Sequence, residues 1–331
     1  MITCEVIHVK RLFMIISRLM CFVCFSCSHT PVKESYSMFA MNTSIQITFY
    51  DVKDSKNIAR NVEKIYLKYD SYAGDFDSYY GTLNVYDLNQ RRSIVATSEL
   101  IDMINFAIEM KKDTNGYFEP LLGRLTHEWK TALKEGRLLT KDFIASELEI
   151  VNNSSITIKD NLVTLKGDAN LDLGGIAKGY ATQKVHEYLK SLNINTYLLN
   201  AGNSNLILGN KIGETFSVGF RHPFKEGYYK ILHLKDIAVG TSSMEHQHSL
   251  INGTYYSHLL NPKTGMPATC FDAISIFGLD SGKLDAYSTA CFAMGLEATK
   301  DFLNKKGYEW MAFKNDDIIY QSEGVVDYEK V

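Results

Sequence analysis

Residues 171–195 read LDLGGIAKGYATQKVHEYLKSLNIN, and this run constrains the fold more than any other. Two glycines lead straight into a helical pattern with Ala181, Val185, Tyr188, Leu189 and Leu192 on one face. A helix that starts on Gly174-Gly175 bares its backbone, so a neighbouring element or an anion can come close. The rest of the chain sets further helices among short strands. Residues 42–50, NTSIQITFY, alternate with Ile45, Ile47 and Phe49 on one side and predict a half-buried strand. Residues 55–69 carry Ile58, Val62, Ile65 and Tyr69 at helical spacing. Residues 98–112 do so with Leu100, Ile104 and Ala107/Ile108, from Ser98 as N-cap to a stop near Gly116. Residues 155–165 predict two strands around a Lys-Asp-Asn turn. Strand-like runs follow at 196–200, 205–209, 215–220, 229–234 and 273–278, then a helix over about 281–305 and strands near 309–313 and 317–320. Long helices among short strands, without regular βαβ alternation, predict an α+β fold of mixed short-strand sheets packed with several helices.

The N-terminus is of another kind. Four of the six cysteines, Cys4, Cys21, Cys24 and Cys27, fall in the first 27 residues. Lys10, Arg11 and Arg18 precede or enter the apolar run LMCFVCF at 19–25. Basic residues, a short apolar stretch and a small residue before a cysteine predict a lipoprotein signal over 1–26, cleaved to leave Cys27 lipidated. A tether over 27–37 and a single catalytic domain over 38–331 complete the expected organisation. The apolar run is shorter than the roughly 20 residues a membrane-spanning helix needs. A net charge of −3 and the lack of a Lys/Arg run argue against nucleic acid as a partner. Cys270 and Cys291 lie far apart, with no CxxC spacing to suggest zinc.

Three segments outside the signal could carry chemistry. Asp172-Leu173-Gly174-Gly175 with Lys178 offers backbone and a point charge to a phosphate, although such glycines also make an ordinary tight turn. It is neither a Walker A pattern nor a GxGxxG fingerprint. Asp285 and Thr289 stand i, i+4 on the last helix, a carboxylate and a hydroxyl of the kind Mg²⁺ accepts; taken alone, an Asp favouring the helix dipole beside a Thr is the better reading. His258 ends a strand-like stretch and enters LLNPKTG, a loop setting in which a proton-transfer group or a turn histidine is at home. His246 and His248 read as a surface pair with no third ligand nearby.

In order, these segments resemble the FAD:protein FMN transferases, the ApbE-like flavin transferase family. The landmarks are MNTSIQI, GYFEPLLGRLTHEW, LDLGGIAKGYA, NAGNSN, FSVGFRHP, TSS followed by YYSHLLNPKTGMPA, and LDAYSTACFAMG, spread from about 38 to 300. The resemblance implies a T-fold-like catalytic domain that binds FAD as substrate with Mg²⁺, passes FMN to a threonine hydroxyl of a partner and releases AMP. It implies Mg²⁺ on the carbonyl of Gly175, the carboxylate of Asp285 and the hydroxyl of Thr289, and His258 as catalytic base. It implies FAD contacts at Met41, Tyr79, Tyr117, Phe118, Glu119, Asp172, Lys178 and Leu260, with Tyr79 placed only through the Leu-Asn that follows it.

Partners so implied are acceptor flavoprotein subunits of redox-pump type carrying a target Thr, and a bacterial membrane reached through the anchor on Cys27, in a periplasmic or other extracytoplasmic setting. FAD pyrophosphatase activity and a non-catalytic flavin-binding lipoprotein are the alternatives. The chain departs from the family pattern in four places. Asn42 and Ser243 replace Gly, Glu119 replaces Asp, and NAGNSN lacks a second Gly, from which altered backbone freedom near the flavin is expected.

Overall fold

The computed structural model describes residues 31–79, 81–245 and 248–329. The expected signal peptide, Cys27 and His246 lie outside them. The chain divides into Met1–Val32 and Lys33–Val331, and every described element belongs to the second unit. Among the described residues no helix is long and apolar enough to cross a membrane.

Strands β1 (Lys33–Ala40) and β2 (Thr43–Tyr50) form an antiparallel hairpin. Its two connecting residues, Met41 and Asn42, have φ of 52° and 56°. Positive φ at both positions matches the turn to the right-handed twist of the strands. β1 begins inside the segment expected as a tether, so residues 33–37 are strand. Helix α1 (Ser55–Ala73) buries Ala59, Val62, Tyr66, Tyr69 and Tyr72, a face rotated from the expected one, with Ile58 and Ile65 half-buried at its flank. After α2 (Val85–Arg91) and β3 (Ser93–Val95) comes α3 (Ser98–Asp113). Thr97, not Ser98, caps it, its hydroxyl accepting from Leu100 N at 3.3 Å.

Helices α4 (Gly123–Lys134) and α5 (Lys141–Asn152) are not among the helices that the sequence pattern predicts. In α5 the buried face holds Ile144, Glu147 and Val151, so a carboxylate interrupts the apolar stripe. Arg124 satisfies that carboxylate at 2.7 and 3.0 Å. Strands β4 (Ser155–Lys159) and β5 (Leu162–Lys166) pair as expected and take β3 into a three-stranded sheet.

The remaining elements are α6 (Ala177–Ser191), β6 (Tyr197–Ala201), β7 (Asn205–Leu208), β8 (Phe216–Arg221), β9 (Tyr228–Leu234), β10 (Ile237–Ser243), β11 (His248–Ile251), β12 (Thr254–Ser257), β13 (Ala273–Gly278), α7 (Ser281–Met294), α8 (Leu296–Lys306), β14 (Glu309–Lys314), β15 (Asp317–Gln321) and α9 (Glu323–Asp327). The single helix expected over 281–305 is two, broken at Gly295, whose φ of 87° cannot continue a helix.

An eight-stranded sheet in the order β1-β2-β6-β7-β10-β13-β14-β15 forms the frame, every neighbouring pair antiparallel. Helix α7 packs on β10 and β13, α6 packs on α7, and α1 packs on α6. Ala238, Ile274, Ile276 and Trp310 belong to that helix-side core. Their neighbours in the chain, Val239, Phe277 and Met311, belong to a second core with Phe216, Val218 and Leu232 of the β8–β9 hairpin. Side chains alternate across a strand, so the hairpin covers the opposite face.

Candidate functional site

Helices α6 and α7 cross closely at Gly179. A Cβ built on Gly179 of α6 would lie 2.4 Å from Asp285 Cβ and 2.5 Å from Ser281 O of α7. One on Gly240 of β10 would lie 2.7 Å from the backbone of Leu284. Helix α7 is thus held between two glycines, and its Asp285 sits against the start of α6. Gly179 N donates to Asp285 Oδ2 at 2.8 Å. One turn further along α7, Thr289 Oγ1 donates at 3.4 Å to Gly175 O, in the glycine turn just before α6. The structure therefore brings together the carbonyl, carboxylate and hydroxyl anticipated as cation ligands.

Asp285 is 5 % exposed. Burial pushes its carboxyl above the usual carboxylate range, against the opposing pull of the Lys178 charge, the Gly179 amide and the Asn205 side chain. A buried carboxylate with compensation this incomplete suits a cation, and all three donors are hard oxygens. Among the described residues no three His, Cys, Asp or Glu side chains gather as a metal cluster, so this donor set depends on a carbonyl and a hydroxyl.

Of the other anticipated residues, Phe118 and Asp172 border the glycine turn of this centre. Phe118 is buried, and its Cε2 would lie 3.1 Å from a Cβ on Gly175. Its neighbour Tyr117 lies under the Lys263 ammonium, 5.5 Å from the ring centroid. Asp172 Oδ1 accepts from Gly174 N at 2.7 Å and so shapes the glycine turn before α6. Burial and nearby Asp172 together push the Asp75 carboxyl up in the loop after α1. Tyr79 bridges Thr82 and is 48 % exposed. Met41, half-buried, lies in the β1–β2 turn beside the β6–β7 turn, where Gly202 N donates to Ser44 O at 3.1 Å.

His258 follows β12 directly. Ser257 is buried, and its Oγ accepts from Leu259 N at 3.0 Å, fixing the backbone on both sides of the histidine. Leu260 is buried and bridges Pro267. Asn261 Nδ2 donates to Ala293 O at 3.1 Å, tying this loop to α7 one turn beyond Thr289. Trp129 Nε1 donates to Gly265 O at 2.7 Å and clamps the loop from α4.

The departures from the family pattern have local explanations. Asn42 and Asn203 stand at φ of 56° and 60°. Asn is the residue after glycine that best tolerates this region, so the left-handed backbone is kept. Asn203 is also held by its N–H donating to Asn200 Oδ1 at 2.9 Å. Ser243 ends β10 without positive φ, and its Oγ accepts from Glu245 N at 3.0 Å. Glu119 uses its extra methylene to reach Lys111 Nζ at 2.6 Å. His248 is not the surface residue expected: it is half-buried, 2.7 Å from Met244 O and edge-on to Phe224 and Tyr255.

Sequence reasoning gave no separate role to Gly179, Asn205 and Trp129, which lie inside the quoted motifs, and it missed Asp75. For Gly179 a signal existed, since a glycine inside a helix costs about 1 kcal/mol against alanine and so marks a close approach. A hollow of about 400 Å³ lined by His222, Lys225, Tyr229, Phe313 and Asp316 contains none of these residues.

Fold and site define an α+β domain in which hard oxygen donors converge from two crossing helices beside a glycine-opened helix start. The chain belongs to the ApbE family, whose sequence pattern matches residues 41–312. It is 28% identical over 262 residues to a FAD:protein FMN transferase of Treponema pallidum, covering 72% of each chain. It is 22% identical over 296 residues to one of Klebsiella pneumoniae, covering 87% of this chain and 92% of the relative. Its fold is similar to the crystal structure of the ApbE protein of Thermotoga maritima, with a TM-score of 0.79 at 24% identity over 91% of this chain and all of that one. It is likewise similar to the flavin transferase ApbE of Vibrio cholerae, with a TM-score of 0.74 at 18% identity over 90% of this chain and all of that one.

Proposed function

We propose that this chain is an Mg²⁺-dependent FAD:protein FMN transferase that moves FMN from FAD to a threonine hydroxyl of a partner protein and releases AMP. The observation that carries the reading is the convergence of Gly175 O, Asp285 and Thr289 at a buried crossing, in a chain whose relatives carry that activity. These three groups would hold the ion. When bound, Mg²⁺ neutralises charge on the pyrophosphate and on the departing phosphate.

The remaining work falls to the chain's own side chains. Lys178, close enough to Asp285 to favour its ionised form, adds positive charge on the pyrophosphate side. Phe118 walls the Gly175 turn, and Asp172 keeps that turn's backbone in place. Met41, Tyr79, Tyr117, Glu119 and Leu260 complete the FAD contacts. A ring nitrogen of His258 takes the proton from the acceptor threonine hydroxyl. That oxygen then bonds to the FMN phosphorus, and the bond from this phosphorus to the AMP phosphate oxygen breaks.

The proposal extends to the setting. Lipidation at Cys27 would hold the domain at an extracytoplasmic bacterial membrane surface, where flavin-carrying subunits of redox-pump type present the target Thr. The test incubates the protein with FAD, Mg²⁺ and a threonine-bearing acceptor and analyses the products by mass spectrometry. FMN added to the acceptor with one AMP released is expected. FMN and AMP free in solution would mark a pyrophosphatase, and intact FAD a binding protein.

A further inference from the structure

Lys263 lies in the loop that follows His258, and its backbone is fixed. Lys263 N donates to Asn261 Oδ1 at 2.9 Å, and Gly265 N donates to Asn261 O at 2.8 Å. The bonds from Asn261 to Ala293 and from Trp129 to Gly265 hold this turn from α7 and α4. The Lys263 side chain is exposed and reaches the segment that carries Tyr117 and Phe118. Its ammonium lies 5.5 Å from the Tyr117 ring centroid, and a Cβ on Gly116 would stand 2.8 Å from its Nζ. Gly116, at φ of 73°, thus leaves the room that the ammonium fills. Lys111, ahead of the same segment, is neutralised by Glu119 at 2.6 Å. Among the described residues no carboxylate pairs with Lys263. An aromatic face attracts a cation without cancelling its charge. A full positive charge therefore stands on Tyr117, next in the chain to the Phe118 that walls the Gly175 turn.

We propose that Lys263 is a further substrate-binding residue, whose ammonium donates to a phosphate oxygen of FAD at the rim of the site. This rests on the FAD reading given above. Near neutral pH the negative charge of FAD is on its phosphates; the rest of the molecule offers neutral rings and hydroxyls. An ammonium is a compact point charge with three donors and no acceptor, which suits a phosphate. Lys263 comes from the loop after β12 and the cation donors come from α7 and the turn before α6, so separate elements supply positive charge to one substrate.

The test titrates FAD into the full chain in Mg²⁺, by fluorescence quenching at low and high salt, for the wild type, Lys263→Met and Lys263→Arg. Methionine keeps most of the apolar stem and removes the charge. Lys263→Met should bind FAD at least about tenfold more weakly at low salt, the low end for a hydrogen bond between charged groups. Salt at about 1 M cuts the Debye length to about 3 Å and should close most of that gap. Lys263→Arg should stay within a few-fold of wild type. Wild-type affinity of Lys263→Met at low salt overturns the proposal. So does a loss that high salt leaves unchanged, or that Lys263→Arg shares, which would mean lost packing on Tyr117 rather than lost charge. If the wild type itself does not bind FAD, the FAD reading fails and this inference falls with it.

Discussion

Replacing Gly179 with alanine separates two opposite expectations. Helix propensity alone favours Ala over Gly by about 1 kcal/mol, so a view confined to α6 predicts a more stable protein. The crossing predicts the reverse. The new Cβ would sit 2.4 Å from Asp285 Cβ and 2.5 Å from Ser281 O. Carbon atoms pack best at about 3.5–4.0 Å, so α6 and α7 must part by about 1 Å. Neither obstacle is the free end of a side chain, which puts the overpacking cost near the upper end of about 1–3 kcal/mol. Allowing for the propensity gain, the net loss is about 2 kcal/mol, or a fall in Tm of about 3 °C for a domain of roughly 300 residues. The same displacement stretches the hydrogen bond from Gly179 N to Asp285 Oδ2 and moves the carboxylate relative to Gly175 O. Misplacing a group by about 1 Å can cost about a hundredfold in rate. Thermal melting by circular dichroism and the rate of FMN transfer from FAD read the two effects. A Gly179→Ala protein that melts at or above wild type and transfers at the wild-type rate would refute the argument that this glycine sets the site.

Chelation with EDTA should abolish FAD turnover and Mg²⁺ restore it, whereas Asp285→Ala should lose both turnover and cation-dependent FAD binding; full activity of that variant in Mg²⁺ would end the ligand assignment. His258→Ala should keep its FAD affinity within a few-fold by fluorescence quenching while transfer to an acceptor threonine falls by at least about a hundredfold; transfer at the wild-type rate would make His258 a turn residue. Cys27→Ala should release the expressed protein from membranes or leave it unprocessed, and an intact N-terminus on a soluble mature protein would remove the lipoprotein reading. Burial raises the Asp113 carboxyl, but Lys306 and Tyr287 outweigh it and hold it below its ordinary 3.8. A depressed carboxylate lends stability above the unfolded value and loses it as pH falls through the folded one. Asp113→Asn should therefore lower Tm at neutral pH, with the deficit shrinking as pH drops below about 4; a deficit independent of pH would refute this.

What the sequence determined by itself is what neighbours along the chain decide. The β2 alternation, the strand pair around 160 and the helix after Gly174-Gly175 all depend on side chains within a few positions, and all are present. The ordered motifs likewise sufficed to identify the family. Local reading failed where a distant residue sets the outcome. Helix α5 was hidden because its stripe carries Glu147, which only Arg124 makes acceptable. The break at Gly295 was hidden because apolar spacing continues across it, while the left-handed turn sits against Cys270. The left-handed backbone at Asn42 and Asn203, which Asn adopts as well as Gly, is visible only in the structure. The site illustrates the division most clearly. Asp285 and Thr289 were legible as i, i+4 neighbours on one helix, but the amide that receives Asp285 lies 106 positions away. Periodicity says which face of a helix is buried; it does not say against what, because two helices choose their crossing point by where backbone can approach backbone. Glycines at 179 and 240 made that choice, and tertiary packing alone turned it into a site.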